Sequence, residues 1–224
     1  MSATDTLFQI TSEVSVCTRC TLHKTRNKSV PGVGPENAEI MLIGEGPGYN
    51  ENEQGLPFVG QAGQFLTELL AQAGLKREDV WIGNVVKCRP PNNRDPLPEE
   101  LSACDAFLER QIATINPKII ITLGRFSMGK FMPGAKISIV HGQMRKIGSR
   151  FVIAMFHPAA ALHQPNIKPA ILADFAKLPQ LLDVARKEIA KSAPVVAPAQ
   201  VAEQKPAYDP TPKTDEKPTQ LKLF

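Results

Sequence analysis

Four short apolar runs constrain this chain more than any other feature. Residues 40–43, 80–86, 119–123 and 151–155 read Ile-Met-Leu-Ile, Val-Trp-Ile-Gly-Asn-Val-Val, Ile-Ile-Ile-Thr-Leu and Phe-Val-Ile-Ala-Met. Each is short, mostly β-branched or bulky, and apolar at successive positions, the pattern of a strand buried on both faces. The stretches between them repeat at helical intervals instead. Over 61–75, Phe65, Leu66, Leu69 and Leu70 share a side, and over 98–115, which opens Pro-Glu-Glu, so do Leu101, Cys104, Phe107, Leu108 and Ile112. A further helix is predicted over 170–190. Strands alternating with helices imply an α/β domain with a central, mostly parallel sheet, here four-stranded, and helices on both faces. Ligands of such sheets bind where loops leave the strand C-termini.

The rest of the chain narrows the class. No run of about 18 apolar residues is present, so no membrane partner is expected. Residues 1–10 lack the basic flank and apolar core of a secretory signal, which points to a cytoplasmic chain. From residue 191 onward six prolines and no glycine stand among Ala, Lys, Thr and Glu. Such a segment buries too little apolar surface to offset its ordering entropy, so 191–224 is predicted to be a disordered tail behind a folded domain, 1–190. The net charge of +4 says little, but its distribution says more. No Asp or Glu lies between Glu13 and Glu36 or between Glu109 and Asp174, while those stretches carry four and nine Lys and Arg. Segregation of this kind gives one face a potential suited to a polyanion, unless acids from elsewhere balance it in space.

The four cysteines are Cys17, Cys20, Cys88 and Cys104. In a cytoplasmic chain they argue against a disulfide framework. The two-residue gap lets Cys17 and Cys20 bind one centre from a tight turn, with Cys88 following a strand and Cys104 on the next helix. Four thiolates from three segments suit a closed site, either tetrahedral zinc or a cubane iron–sulfur cluster, and the spacing does not separate the two. The plain alternative is that Cys88 and Cys104 are ordinary buried thiols.

The loops after the strands hold the remaining candidates. Gly44-Glu-Gly-Pro-Gly48 lets backbone approach a ligand closely, but no Lys-Ser/Thr follows it, so it is not a nucleotide phosphate loop. Phe58, in a loop between Pro57 and Gly60, is either a core plug or a stacking platform for a flat ligand. Asn84 stands where a buried strand calls for an apolar residue and must find a hydrogen-bond partner. His157, at a strand end before Pro158, is well placed as a site residue; His23, His141 and His163 receive structural readings.

In combination these residues are specific. Gly44-Glu-Gly-Pro-Gly48, Gly55-x-Pro-Phe-Val-Gly60-x-Ala-Gly63, Asn84-Val-Val-Lys-Cys-Arg-Pro-Pro91 and His157-Pro-Ala-Ala160, with the cysteines interleaved, resemble the family 4 uracil-DNA glycosylases, the iron–sulfur branch of that superfamily. The match runs from about Cys17 to Leu182. The resemblance implies a three-layer α/β/α sandwich, a [4Fe-4S] cluster on Cys17, Cys20, Cys88 and Cys104, and hydrolysis of the uracil–deoxyribose bond in single- and double-stranded DNA, the first step of base excision repair. It implies that Phe58 stacks on the flipped uracil and that Asn84 reads its O4/N3 edge. His157 and the backbone of the Glu45–Gly46 turn would stabilise negative charge on O2, and Glu51 would position the attacking water. Two departures stand out. Tyr49, Asn50 and Asn52 replace an acidic run after Gly48, and Gly46 stands where other glycosylase families place an acid. The basic insert of a branch that traps uracil covalently is absent, which implies ordinary turnover.

Lys87, Arg89 and Arg94, around the Cys88 loop, are expected phosphate contacts on a monomeric, nucleoid-associated bacterial protein. The final residues, Gln220, Leu221, Lys222, Leu223 and Phe224, resemble the bacterial sliding-clamp-binding peptide, in which Gln220, Leu221, Leu223 and Phe224 would dock from a long tether. A catalytically weak iron–sulfur module that binds DNA or tethers to the clamp is the alternative reading.

Overall fold

The computed structural model describes residues 2–192, so the expected tail beyond Ser192, with Gln220, Leu221, Leu223 and Phe224, lies outside the described residues. The four apolar runs become β1 (Ile40–Gly44), β2 (Trp81–Asn84), β3 (Ile119–Leu123) and β5 (Arg150–Met155), with β4 (Gln143–Ile147) between the last two in sequence. The helices are α1 (Ala3–Val16), α2 (Tyr49–Gln54), α3 (Gln61–Gln72), α4 (Pro98–Ile115), α5 (Arg125–Phe131), α6 (Ile137–Val140), α7 (Pro158–His163) and α8 (Lys168–Ser192). The sheet order is β2-β1-β3-β5-β4. The first four strands are mutually parallel, and β4 runs antiparallel to β5.

The sheet therefore has five strands rather than four. β4 escapes a search for buried runs because it is an edge strand whose Gln143, Arg145 and Lys146 are exposed. Charged side chains on an edge also discourage pairing with another chain.

Alternation along the strands divides the core in two. Leu42, Ile121 and Ile153 face a layer of α3, α7 and α8 carrying Leu66, Leu69, Ala161, Phe175 and Leu178. Their neighbours Met41, Ile43, Ile120 and Val152 face α4 and α5 through Leu108, Ile112 and Met128. Successive residues thus enter opposite layers, which is why each strand reads as continuously apolar. On the outer side of α4, Ile10 and Val14 of α1 pack on Phe107, bringing Cys17, at the end of α1, close to Cys104. Because these four strands are parallel, β1, β2, β3 and β5 all deliver their following loops to one edge of the sheet.

Candidate active site

The register of β1 against β2 sets Gly44 beside Asn84. From that point the Glu45–Gly48 turn, the Pro90–Arg94 loop and the His157 loop after β5 surround a cavity of about 350 Å³, with Phe58 and Asn84 in its wall. A Cβ on Gly44 would come within 2.5 Å of Asn84 Oδ1 and 2.6 Å of the Phe58 ring. Only glycine lets these two side chains converge over the strand end. Asn84 is 1% exposed, and its Oδ1 is a buried side-chain oxygen with no hydrogen-bond partner among the described residues. Such a group costs about 1–3 kcal/mol while unpaired.

Phe58 holds a left-handed backbone conformation, φ 52°, which an aromatic residue rarely adopts. Its neighbours impose it. Glu51 Oε1 accepts the N–H of Val59 and of Gly60, each at 2.8 Å, and Oε2 accepts that of Gly48 at 3.1 Å. A Cβ at Gly63 would fall 1.9 Å from the Phe58 carbonyl oxygen, so the first turn of α3 presses on the Phe58 backbone. Glu51 therefore pins two loops together, with three of its roughly four acceptor positions occupied.

The Phe58 ring stacks on that of His157, centroids 5.5 Å apart and 27° from parallel. His157 caps α7, its Nδ1 accepting the Ala159 N–H at 3.1 Å. That bond selects the neutral tautomer with its proton on Nε2. Burial pushes the imidazole down to about 4, against the opposing pull of the Glu51 carboxylate. The ring is half-buried, with its open side on the cavity. At neutral pH it is a neutral Nε2–H donor. Glu45, also in the wall, shifts the other way: burial and the neighbouring Asp95 charge push it up to about 7, opposed by Arg125.

The expected DNA contacts divide. Lys87 is a correction: it is 1% exposed, and its Nζ donates to the Asn84 carbonyl and to Gln111 Oε1, each at 2.8 Å. Its side chain runs inward beneath the Trp81 ring, so no phosphate can reach it. Arg94 lines the cavity, but its guanidinium is held by the buried Glu100 at 2.7 and 2.9 Å. Arg89 is half-buried. The acid-free stretches are partly balanced in space, since Arg110 pairs with Glu13, Arg125 with Asp95, and Lys130 with Asp105 and Glu109. Sequence reasoning missed Glu100, although its place three residues into a helix is a capping position. It also missed Arg26, whose Nη1 donates to Cys88 Sγ at 3.3 Å and for which no pattern gave a signal.

Cys17, Cys20, Cys88 and Cys104 are all free and border one small cavity closed by Val14, Leu22, Val86 and Phe107. Burial pushes the Cys104 thiol up to about 11 and that of Cys88 in the same direction. Such thiols stay deprotonated only with a cation to bind. Among the described residues no group of three or more His, Cys, Asp or Glu side chains is arranged as a ready-made site for a metal ion.

Fold and cavity together describe an α/β protein in which an aromatic ring, a buried amide and a neutral imidazole donor converge on one cavity at the C-terminal edge of the sheet. The chain matches the family model of the uracil DNA glycosylase superfamily over residues 31–177. It is 46% identical over 186 residues to the type-4 uracil-DNA glycosylase of Archaeoglobus fulgidus, covering 79% of this chain and 94% of that protein. To the type-4 enzyme of Thermotoga maritima it is 45% identical over 183 residues, covering 79% and 95%. A type-5 uracil-DNA glycosylase of Thermus thermophilus is 32% identical over 151 residues, 58% of this chain and 68% of that one. The chain belongs to the uracil DNA glycosylase superfamily, in its type-4 branch.

The packing around Gly44 is testable without any ligand. Gly44→Ala should cost about 1–3 kcal/mol in urea unfolding by overpacking Phe58 and Asn84. Stability equal to wild type would mean that the strand end tolerates a methyl group and the convergence is loose.

Proposed function

We propose that this protein is a uracil-DNA glycosylase that flips uracil out of DNA and hydrolyses its N-glycosidic bond. The observation that carries the reading is the orphaned Asn84 amide oxygen in the wall of a cavity bounded by Phe58 and His157. An amide there pairs with the N3–H and O4 of uracil, and cytosine presents the opposite pattern on that edge. A base inside a duplex is out of reach, so the nucleotide must leave the stack, and Phe58 then supplies the face on which the ring rests.

Bond cleavage leaves positive charge on the sugar and negative charge on uracil O2. His157 stays neutral and offers Nε2–H to O2, and the Glu45–Gly46 turn borders the same region. Donors of this kind, fixed before the reaction, are worth roughly 10²–10³ in rate each. Glu51 keeps one acceptor position for the attacking water, and with Gly46 in the first turn anion stabilisation carries most of the catalysis.

The cysteine centre is read as a [4Fe-4S] site. Four thiols bordering one small cavity supply the all-cysteine donor set that such a cluster takes, and the resemblance to the iron–sulfur branch favours it over zinc. When bound, the cluster supplies a four-point cross-link between the end of α1, the loop after β2, and α4. The remaining partner readings rest on chemistry and sequence alone. Uracil-containing single and double strands are the substrates, Arg89 and Arg94 border their path, and the protein works as a monomer on the bacterial nucleoid. The clamp-docking role of Gln220, Leu221, Leu223 and Phe224 rests on that peptide itself. Among the described residues no helix is long and apolar enough to cross a membrane.

Three outcomes test these readings. Purified protein should release free uracil from uracil-containing strands, with Asn84→Ala and His157→Ala each losing at least about 10²-fold in kcat; wild-type protein that releases none favours the weak-module alternative. Glu45 has the raised pKa, so it is neutral well below pH 7 and ionises as pH climbs through about 7, placing a negative charge beside the substrate. DNA affinity should therefore weaken between about pH 6 and 8, and Glu45→Gln should flatten that dependence in a fluorescence titration. Finally, the protein should be brown with about four irons per chain, and Cys88→Ser or Cys104→Ser should lose both iron and colour. A colourless protein with one zinc would refute the cluster.

A further inference from the structure

The rim of the cavity carries an aromatic ring that the uracil reading leaves unused. Tyr49 opens α2 directly after the cavity-lining Gly48 and is 60% exposed. The Arg89 guanidinium lies over this ring, 5.2 Å from its centroid. Arg89 Nε also donates to Asn93 Oδ1 at 2.7 Å, and Asn93 is itself part of the cavity wall. Asn92 and Asn93 both hold left-handed backbone, φ 55° and 54°, a conformation that Asn tolerates better than most residues. The turn they make carries Asn93 back to Arg89. Two segments, one leaving β1 and one leaving the Cys88 loop, thus bring a ring and a guanidinium together on one lip.

The arginines of the molecule differ in their partners. Arg94, Arg110 and Arg125 each have a carboxylate partner. Arg89 has none among the described residues; an amide oxygen and the face of a ring hold it instead. Its positive charge is uncompensated, and one face of Tyr49 remains open to solvent.

We infer that Tyr49 and Arg89 form a second subsite, which binds the nucleotide adjoining the flipped uracil in single-stranded DNA. It rests on the uracil-DNA reading of the cavity. Tyr49 stacks on the neighbouring base and Arg89 takes the phosphate beside it. An aromatic platform paired with a cation is a sequence-tolerant way to hold a single strand, because every base has a π face. In a duplex the neighbouring base stays in its own stack, so the subsite serves single strands above all.

The test uses full-length holoprotein and single-stranded oligonucleotides with one uracil, flanked either by thymidines or by abasic tetrahydrofuran residues. Tyr49→Ala should raise KM about ten-fold on the thymidine-flanked strand. Tyr49→Phe should restore it, and on the abasic-flanked strand Tyr49→Ala and wild type should coincide. An equal effect of Tyr49→Ala on both strands, or none on either, overturns the subsite. The same strands with thymidine in place of uracil, titrated by fluorescence anisotropy, should give the same pattern without chemistry. Protein that releases no uracil but binds in this ring- and flank-dependent way would defeat the functional reading and support the subsite. Arg89→Gln should weaken binding to both strands and lower the salt dependence by about one phosphate; an unchanged salt slope removes the phosphate contact from the proposal.

Discussion

Everything functional in this molecule hangs from one register, Gly44 at the end of β1 beside Asn84 at the end of β2. Parallel pairing makes the strands finish together, so the loops that follow leave side by side and close a cavity. The missing side chain at Gly44 does the rest: it lets Asn84 and Phe58 approach to distances that a single methyl group would forbid. Phe58 then depends on Glu51 and Gly63 for its strained backbone, and its ring supports His157. The site is a stack of dependencies on one pair of aligned residues rather than a set of independent side chains.

The segment Asn84 to Arg89 joins the cavity to the cysteine centre. Lys87 sits between them, its ammonium bonded to the Asn84 carbonyl, its backbone N–H donating to Cys104 Sγ at 3.3 Å, and its Nζ 5.8 Å from the Trp81 ring centroid. Burying an ammonium without a carboxylate is costly, and burial does push this lysine down to about 8. Two oxygen acceptors, an aromatic face and the neighbouring Cys104 sulfur offset that cost. One short peptide thus braces Asn84, presents Cys88, and sends Arg89 to the rim.

The strands were legible because both of their faces are buried, which leaves an unbroken apolar run. β4 was not, since an edge strand with exposed Gln143, Arg145 and Lys146 carries no such run. For Glu51 the sequence shows a charge and its neighbourhood, but not the three backbone N–H groups that hold it in place. Lys87 looked like a phosphate contact because its charge, too, is visible and its direction is not. A lysine beside Cys88 and Arg89 reads as basic surface until the fold shows that it points inward. Charge segregation misled in a milder way, since Glu13, Asp95, Asp105 and Glu109 reach across from other segments.

The sequence by itself determined the layering of the fold, the set of four cysteines and the order of motifs, including Asn84 and His157, that a family resemblance requires. These are properties of residue type and spacing, which local chemistry and periodicity carry. Only the tertiary structure decided direction: which way Lys87 runs, what Glu51 grips, which face of Tyr49 is free, and that Asn84 keeps an unpaired oxygen at the cavity. Those depend on contacts between segments far apart in the chain, such as Arg26 with Cys88 or Gly44 with Phe58. No local pattern encodes them, because each is settled by the packing of two surfaces that meet only once the sheet has formed.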